Sequence, residues 1–292
     1  MIESAKKEKT QKTKLINVKI EKLHPFKDHP YKVVDDESMA ELKNSISENG
    51  LLNRIIIRPH ETAEEYEIIA GHRRVYAARQ LGIKELPAVI YFVDRDAATV
   101  LMVDSNVQRE TVSPMEKAKA YRMKTDALSH QGKTLGHNVP KSDDNRTTAK
   151  VGETAGESYK TVQRYIRLTH LIPELQEYVD NGQMKLLPAV EISYLDEEAQ
   201  RDVVDRIIET ESFPSHAQAR KMKALFEEGT LDYDAVSEIM SELKPNQVEK
   251  LKIPMDDIRK YVPRDYTPKQ ITELAVKLFK QNFDRQHDRD AR

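Results

Sequence analysis

Tyr66-Glu67-Ile68-Ile69-Ala70-Gly71-His72-Arg73-Arg74 decides the fold of the first half of this chain. An isoleucine-rich strand runs into a glycine, and a helix opens directly after it with two arginines in its first turn. A helix start exposes unpaired N–H groups and a positive dipole end, which favour an anion. Cations placed there cost the helix ~0.3–1 kcal/mol each. A bound phosphate compensates that cost, and so does pairing with surface carboxylates.

Working outward, residues 54–58 read as a second isoleucine-rich strand and residues 15–20 as a third. Residues 35–49 have helical spacing, with Met39, Leu42 and Ile46 on one face and Gly50 as the stop. Downstream come a helix over 72–81 ended by Gly82, a strand over 86–92 and a helix over 95–106. Ser113-Pro114-Met115-Glu116 then forms a capping box that opens another helix. The first module, residues 15–130, is therefore mixed α and β. Residues 1–14 carry five lysines without apolar periodicity and read as a disordered basic tail.

Asp104-Ser105-Asn106-Val107-Gln108-Arg109-Glu110 is a second candidate constellation. Asp104 and Asn106 offer hard oxygens suited to a magnesium ion that also holds phosphate. The same residues also suit an ordinary polar helix end.

From 131 to 148 the sequence QGKTLGHNVPKSDDNRTT reads as a linker. Beyond it residues 149–243 are helical, with helices expected at 149–155, 159–169, 173–181, 187–195, 197–210, 215–228 and 233–243. The first two carry the next constellation. A short helix stops at Gly156, Ser158 caps its successor, and that successor presents Lys160, Arg164 and Arg167 while Val162, Tyr165 and Ile166 face inward. This is a helix-turn-helix pattern, with Ser158, Tyr159, Lys160, Thr161, Gln163, Arg164 and Arg167 nearest a nucleic acid. Two packed helices with a solvated basic face would look similar. Residues 244–292 form a short helical segment. Its last helix opens with the capping box Thr267-Pro268-Lys269-Gln270 and carries an apolar stripe of Ile271, Leu274, Ala275, Leu278 and Phe279.

The bulk numbers exclude several classes. The 292 residues contain no cysteine, which removes disulfides, thiolate catalysis and finger-type zinc sites. No apolar run approaches the ~18 residues of a membrane span, and the N-terminus has no secretory signal, so a cytoplasmic address is expected. A net charge of −2 neither supports nor rejects nucleic acid, because a basic footprint need only be local. P-loop, GxSxG and HExxH patterns are absent, and no Asp/Glu/His set supports a two-metal nuclease.

Taken in order, these blocks resemble the ParB family of partition proteins over roughly residues 16–195. The matching stretches are Asn53-Arg54-Ile55-Ile56-Ile57-Arg58, the Tyr66–Arg74 block with Ala77 and Ala78, Asn106-Val107-Gln108-Arg109-Glu110 with Pro114, Glu116 and Ala118, and Leu171, Pro173-Glu174 and Gly182 beyond the helix-turn-helix. The C-terminal part is similar to ParB-like proteins of mobile elements in Gram-positive bacteria. The resemblance implies an α+β ParB/sulfiredoxin-like module followed by an all-α helix-turn-helix domain, while the apolar stripe of the last helix suits either a homodimer contact or packing on the preceding domain. A sulfiredoxin activity itself fails for want of a cysteine.

The resemblance further implies binding of CTP with Mg²⁺ and of a short palindromic DNA site, closure of a dimeric clamp, and a ParA-type ATPase partner on the nucleoid. By position, Arg73 and Arg74 would hold phosphates, Asn106 the metal, and the loop 51–54 the cytosine. The nucleotide set is then Asn53, Arg54, Gly71, His72, Arg73, Arg74, Asn106 and Arg109. Four departures stand out. His72 replaces the family's glutamate, Ser105 replaces another, Asn53-Arg54 stands where glutamine-proline is frequent, and the lead-in to the helix-turn-helix is unusually polar. The first two predict slow or absent CTP turnover. A site-specific transcriptional regulator without a nucleotide switch is the rival reading.

Overall fold

The computed structural model describes residues 13–62, 64–106, 112–134, 144–242, 255–263 and 265–290. Two compact units divide at Glu242.

The first unit begins with a five-stranded mixed sheet. Its strands are β1 (Thr13–Lys19), β2 (Leu23–His24), β3 (Ile55–Pro59), β4 (Tyr66–Ala70) and β5 (Glu85–Tyr91), in spatial order β1-β5-β3-β4-β2. β3 pairs parallel with β5 and antiparallel with β4, with a register shift between Ile56 and Ile57. The helices of this part are α1 (Glu37–Asn49), α2 (His72–Gln80) and α3 (Arg95–Asp104). Helix α2 covers one face, where Val75 and Ala78 meet Ile55, Ile57 and Ile68. Helix α3 covers the other, where Met102 and Val103 meet Ile69. A strand covered on both faces has no solvent side, which is why β3 and β4 are unbroken isoleucine runs and do not alternate. Helix α1 packs Met39 and Ile46 against Ala77 of α2.

The rest of the first unit is helical. It comprises α4 (Pro114–Thr134), α5 (Asp144–Ala155), α6 (Tyr159–Arg167), α7 (Pro173–Asp180), α8 (Leu186–Ile192), α9 (Glu197–Thr210), α10 (His216–Glu227) and α11 (Tyr233–Ser241). Helix α4 belongs to no single part. Its Ala120 lies in the core beneath the sheet, Tyr121 packs with Val151 and Val162, and Met115 and Ala118 join the large helical core. The boundary expected near residue 130 therefore falls inside a helix.

The expected linker over 131–148 is likewise too long. Helix α4 persists to Thr134 and α5 starts at Asp144, and residues 135–143 lie outside the described set. Composition misled there because Thr148, polar and read as loop, is buried on the inner side of α5. The capping box at Ser113 forms as expected. Its Oγ accepts from the Glu116 N–H, and Glu116 in return accepts from the Ser113 N–H and from the Lys32 N–H at 2.7 Å. The basic tail falls mostly outside the described residues.

The second unit contains α12 (Met255–Arg259) and α13 (Pro268–Asp290), which opens with the expected cap. The Gln270 side chain accepts from the Thr267 N–H at 2.9 Å. Ile271 is buried, whereas Val276, Leu278 and Phe279 are exposed. No helix among the described residues is long and apolar enough to cross a membrane.

Candidate nucleotide slot and nucleic-acid interface

Gly71 ends β4 and starts α2. Its φ of +105° lies where L side chains are strained, and an added Cβ would meet Ile55 Cγ2 at 2.8 Å and Arg74 Nη2 at 3.2 Å. The glycine therefore lets the sheet and the helix start approach one another. The first turn of α2 borders a narrow slot of about 20 Å³. Gly71, His72 and Arg73 line it on one side, and Asn106 and the segment 29–33 line it on the other. The two constellations that lie thirty residues apart in the sequence thus share one cavity.

Each predicted residue has a distinct place. Arg73 donates from Nη2 to Ser38 Oγ at 2.8 Å and lies 3.5 Å from Asp36, the cap of α1. Its Nε is buried and has no acceptor among the described residues, so this slot-lining residue keeps a donor to spare. Arg74 is not among the residues that line the slot, although its Nη2 lies beside Gly71. Its Nη1 donates to the carbonyl oxygens of Asn53 and Arg54 at 2.6 and 2.8 Å, and burial lowers its pKa from the ordinary value. The expected phosphate pair is therefore divided: one arginine at the slot and one bracing the loop 51–54. Asn53 and Arg54 are exposed, and it is their backbone that ties this loop to α2.

His72 accepts from the Phe26 N–H at 3.4 Å, and its ring lies 3.7 Å from that of His29. It fastens the segment 26–31 over the slot. Sequence reading missed this wall. Its signal was the cluster His29-Pro30-Tyr31, a proline between two aromatic groups ahead of a helix cap.

Asn106 is buried and donates its amide to Met102 O at 2.8 Å and to Ser105 Oγ at 3.2 Å. Those bonds fix the amide so that its oxygen is the acceptor end. Asp104, expected as a second hard oxygen, is committed elsewhere: it pairs with the buried Lys124 of α4, which also contacts Thr154 Oγ1 of α5 at 2.5 Å. Among the described residues no group of three or more carboxylate or imidazole side chains could hold a metal. Arg109 lies outside the described residues.

The helix-turn-helix is α5 and α6. Gly152 is required because an added Cβ would strike the Glu157 carbonyl oxygen, whose residue donates its N–H to Gly152 O at 2.9 Å. Ser158 caps α6 by accepting from the Thr161 N–H, and its Oγ lies 2.8 Å from Thr161 Oγ1. Val162 points into the core, while Tyr159, Lys160 and Arg164 are exposed. Lys160, Gln163, Arg164 and Arg167 line a groove of about 770 Å³, to which α4 adds Arg122 and α10 adds Lys223. His170 also lines it, its pKa lowered by burial and then by Arg167 and Arg122. Arg167, expected near DNA, lines the groove and is braced there. Its guanidinium is held by Ser193 O at 2.6 Å and Ser193 Oγ at 3.2 Å, and lies 4.0 Å from the Tyr194 ring.

Two family descriptions match these two parts. The ParB N-terminal domain matches residues 4–107 and the ParB HTH domain residues 142–230. A probable chromosome-partitioning protein ParB of Coxiella burnetii is 30% identical over 216 residues, covering 71% of this chain and 68% of that protein. The chain belongs to the ParB family. The chromosome-partitioning protein Spo0J of Thermus thermophilus is 33% identical over 171 residues, covering 58% of the chain and 56% of that protein. The chain thus spans roughly half to two thirds of these ParB-family relatives. A solved C-terminally truncated ParB from Caulobacter crescentus, complexed to the centromeric parS site, covers 72% of the chain and is itself covered to 98%, at 26% identity and a TM-score of 0.44. A second Caulobacter ParB structure, complexed with CTP-gamma-S, covers 67% of the chain and is covered to 99%, at 28% identity and a TM-score of 0.31. The likeness of the C-terminal part to mobile-element proteins concerns residues beyond the matched domains, which end at 230.

Proposed function

We propose that this chain is a site-specific DNA-binding partition protein that takes CTP at the α2 slot, recognises a centromere-like palindrome through α6, and closes as a dimeric clamp for plasmid or chromosome segregation. The observation that carries this reading is the shared cavity of Gly71–Arg73 and Asn106. An anion-seeking helix start, an unsatisfied buried guanidinium N–H and an amide oxygen converge there, in the same compact unit as a basic reading helix.

The residues present fit a triphosphate and a cation that the triphosphate itself brings. The first-turn N–H groups and Arg73 would take phosphate oxygens, and the loop 51–54, braced by Arg74, would flank the base. Asn106 alone would offer an oxygen to Mg²⁺, an arrangement suited to an ion held mainly by phosphates and water. Bound CTP supplies the negative charge that draws these groups together, and the slot must open beyond its present about 20 Å³ to admit it. His72 and Ser105 supply no carboxylate, which supports slow or absent hydrolysis. We further assign the exposed Val276, Leu278 and Phe279 to a homodimer contact, since a palindrome suits a two-fold protein. A ParA-type ATPase and a cytoplasmic, nucleoid-bound site of action complete the reading.

Labelled CTP binding to the full chain, with and without a selected DNA site, tests it. Binding that strengthens when both Mg²⁺ and site DNA are present is expected. Tight site binding that CTP leaves untouched would favour a plain transcriptional regulator.

A further inference from the structure

A carboxylate stands inside the basic groove. The groove along α6 and a second one of about 540 Å³ share Arg164, Val190, Glu191 and Lys223, so the two run together beside Arg164. Glu191, on α8, lies outside the helix-turn-helix. It is held from α10, with Oε2 3.3 Å from Lys223 Nζ and Oε1 3.4 Å from His216 Nε2. Lys223 is itself fixed over the Tyr194 ring at 3.7 Å. The carboxylate is thus anchored and cannot swing clear of whatever enters the groove.

An acid on a surface that meets phosphates repels them unless it faces a donor. Base edges in the major groove offer two: the exocyclic amines of cytosine and adenine. Lys223 offsets the charge of the carboxylate, so the site is not anionic as a whole, and the carboxylate retains lone pairs for a further hydrogen bond. Its neighbour along the groove is Arg164, whose guanidinium matches guanine O6 and N7. A guanidinium and a carboxylate that line the same groove complement the two halves of a G·C pair.

We infer that Glu191 is a specificity-determining residue that accepts a hydrogen bond from the N4 amine of a cytosine in the DNA site. The inference rests on the DNA-binding reading above. It separates this acid from the phosphate-positioning cations around it.

Selection of duplexes from a randomised library by the full-length wild type, Glu191→Ala and Glu191→Gln tests it. Glu191→Ala is expected to lose about tenfold discrimination for cytosine at one position and its symmetry mate, with the other positions unchanged. Glu191→Gln, nearly the same shape, is expected to shift that position toward adenine, the base that glutamine pairs in bidentate fashion. If Glu191→Ala fails to fold, as judged by circular dichroism, Glu191→Gln alone decides. Unaltered base preferences in the folded variants would overturn the inference, and so would uniformly tighter binding to every duplex, which would make Glu191 a mere repulsive charge. A wild type that selects no sequence would overturn the DNA-binding reading itself.

Discussion

Lys124 directs its ammonium group into the carboxylate of Asp104. The lysine side chain is only 3% exposed, and Asp104 closes α3 two residues before Asn106. Because Lys124 also meets Thr154 of α5, one buried cation joins the end of the slot's helix to the first helix of the reading motif.

Removing the acid should cost more than removing the base. Asp104→Ala strands a buried ammonium and is expected to lower unfolding free energy by about 3 kcal/mol. Lys124→Met leaves a carboxylate that is partly solvated and should cost ~1–2 kcal/mol. Urea denaturation of both variants checks the order, and the reverse order would mean that the lysine is solvated in solution.

The two arginines of α2 should separate in their effects. Arg74→Ala frees the Asn53 and Arg54 carbonyls and is expected to lose ~1.5–3 kcal/mol of stability. Arg73→Ala should leave the thermal midpoint nearly unchanged, since its partners are exposed groups on α1. Calorimetric scans in the absence of nucleotide distinguish them.

Much of this was legible in the chain because local signals agreed. The Ile-rich runs at 55–57 and 68–69, the stops at Gly50 and Gly82, and the caps at Ser113 and Ser158 each lie where composition and spacing put them. Four things were not legible. β2 is two residues long and carries no periodicity. Thr148 is polar yet buried. The division of labour between Arg73 and Arg74 depends on which way each side chain leaves the same helical turn. The slot's second wall, His29 to Val33, is brought in by tertiary contact, with the His72 ring accepting from the Phe26 N–H. The cluster His29-Pro30-Tyr31 marks a turn there, but nothing local says that it packs against α2.

On the reading helix, Arg164 and Arg167 should also part company. Arg164→Ala is expected to weaken cognate DNA by ~1–3 kcal/mol while sparing random duplex. Arg167→Ala should chiefly destabilise the fold, because it removes the bonds to Ser193. Fluorescence anisotropy with both duplexes, alongside denaturation, resolves the two.

For α13, paired substitution of Leu278 and Phe279 by aspartate should convert a dimer into a monomer without loss of helix. Light scattering on the full chain gives the mass. An unchanged dimer would place the two-fold contact elsewhere.

Asn106→Ala should weaken CTP binding in Mg²⁺ and shrink the difference between Mg²⁺ and a chelator. Titration calorimetry under both conditions reads it. A Mg²⁺ effect of undiminished size would mean that Asn106 contributes no oxygen to the ion.

The most direct measurement is the CTP affinity of Arg73→Ala against the wild type, each full length, with Mg²⁺ and a selected DNA site present. At least a tenfold loss, about 1.4 kcal/mol, with DNA-site affinity retained, is the predicted result. Equal CTP affinity in the two proteins would contradict a triphosphate gripped at the start of α2.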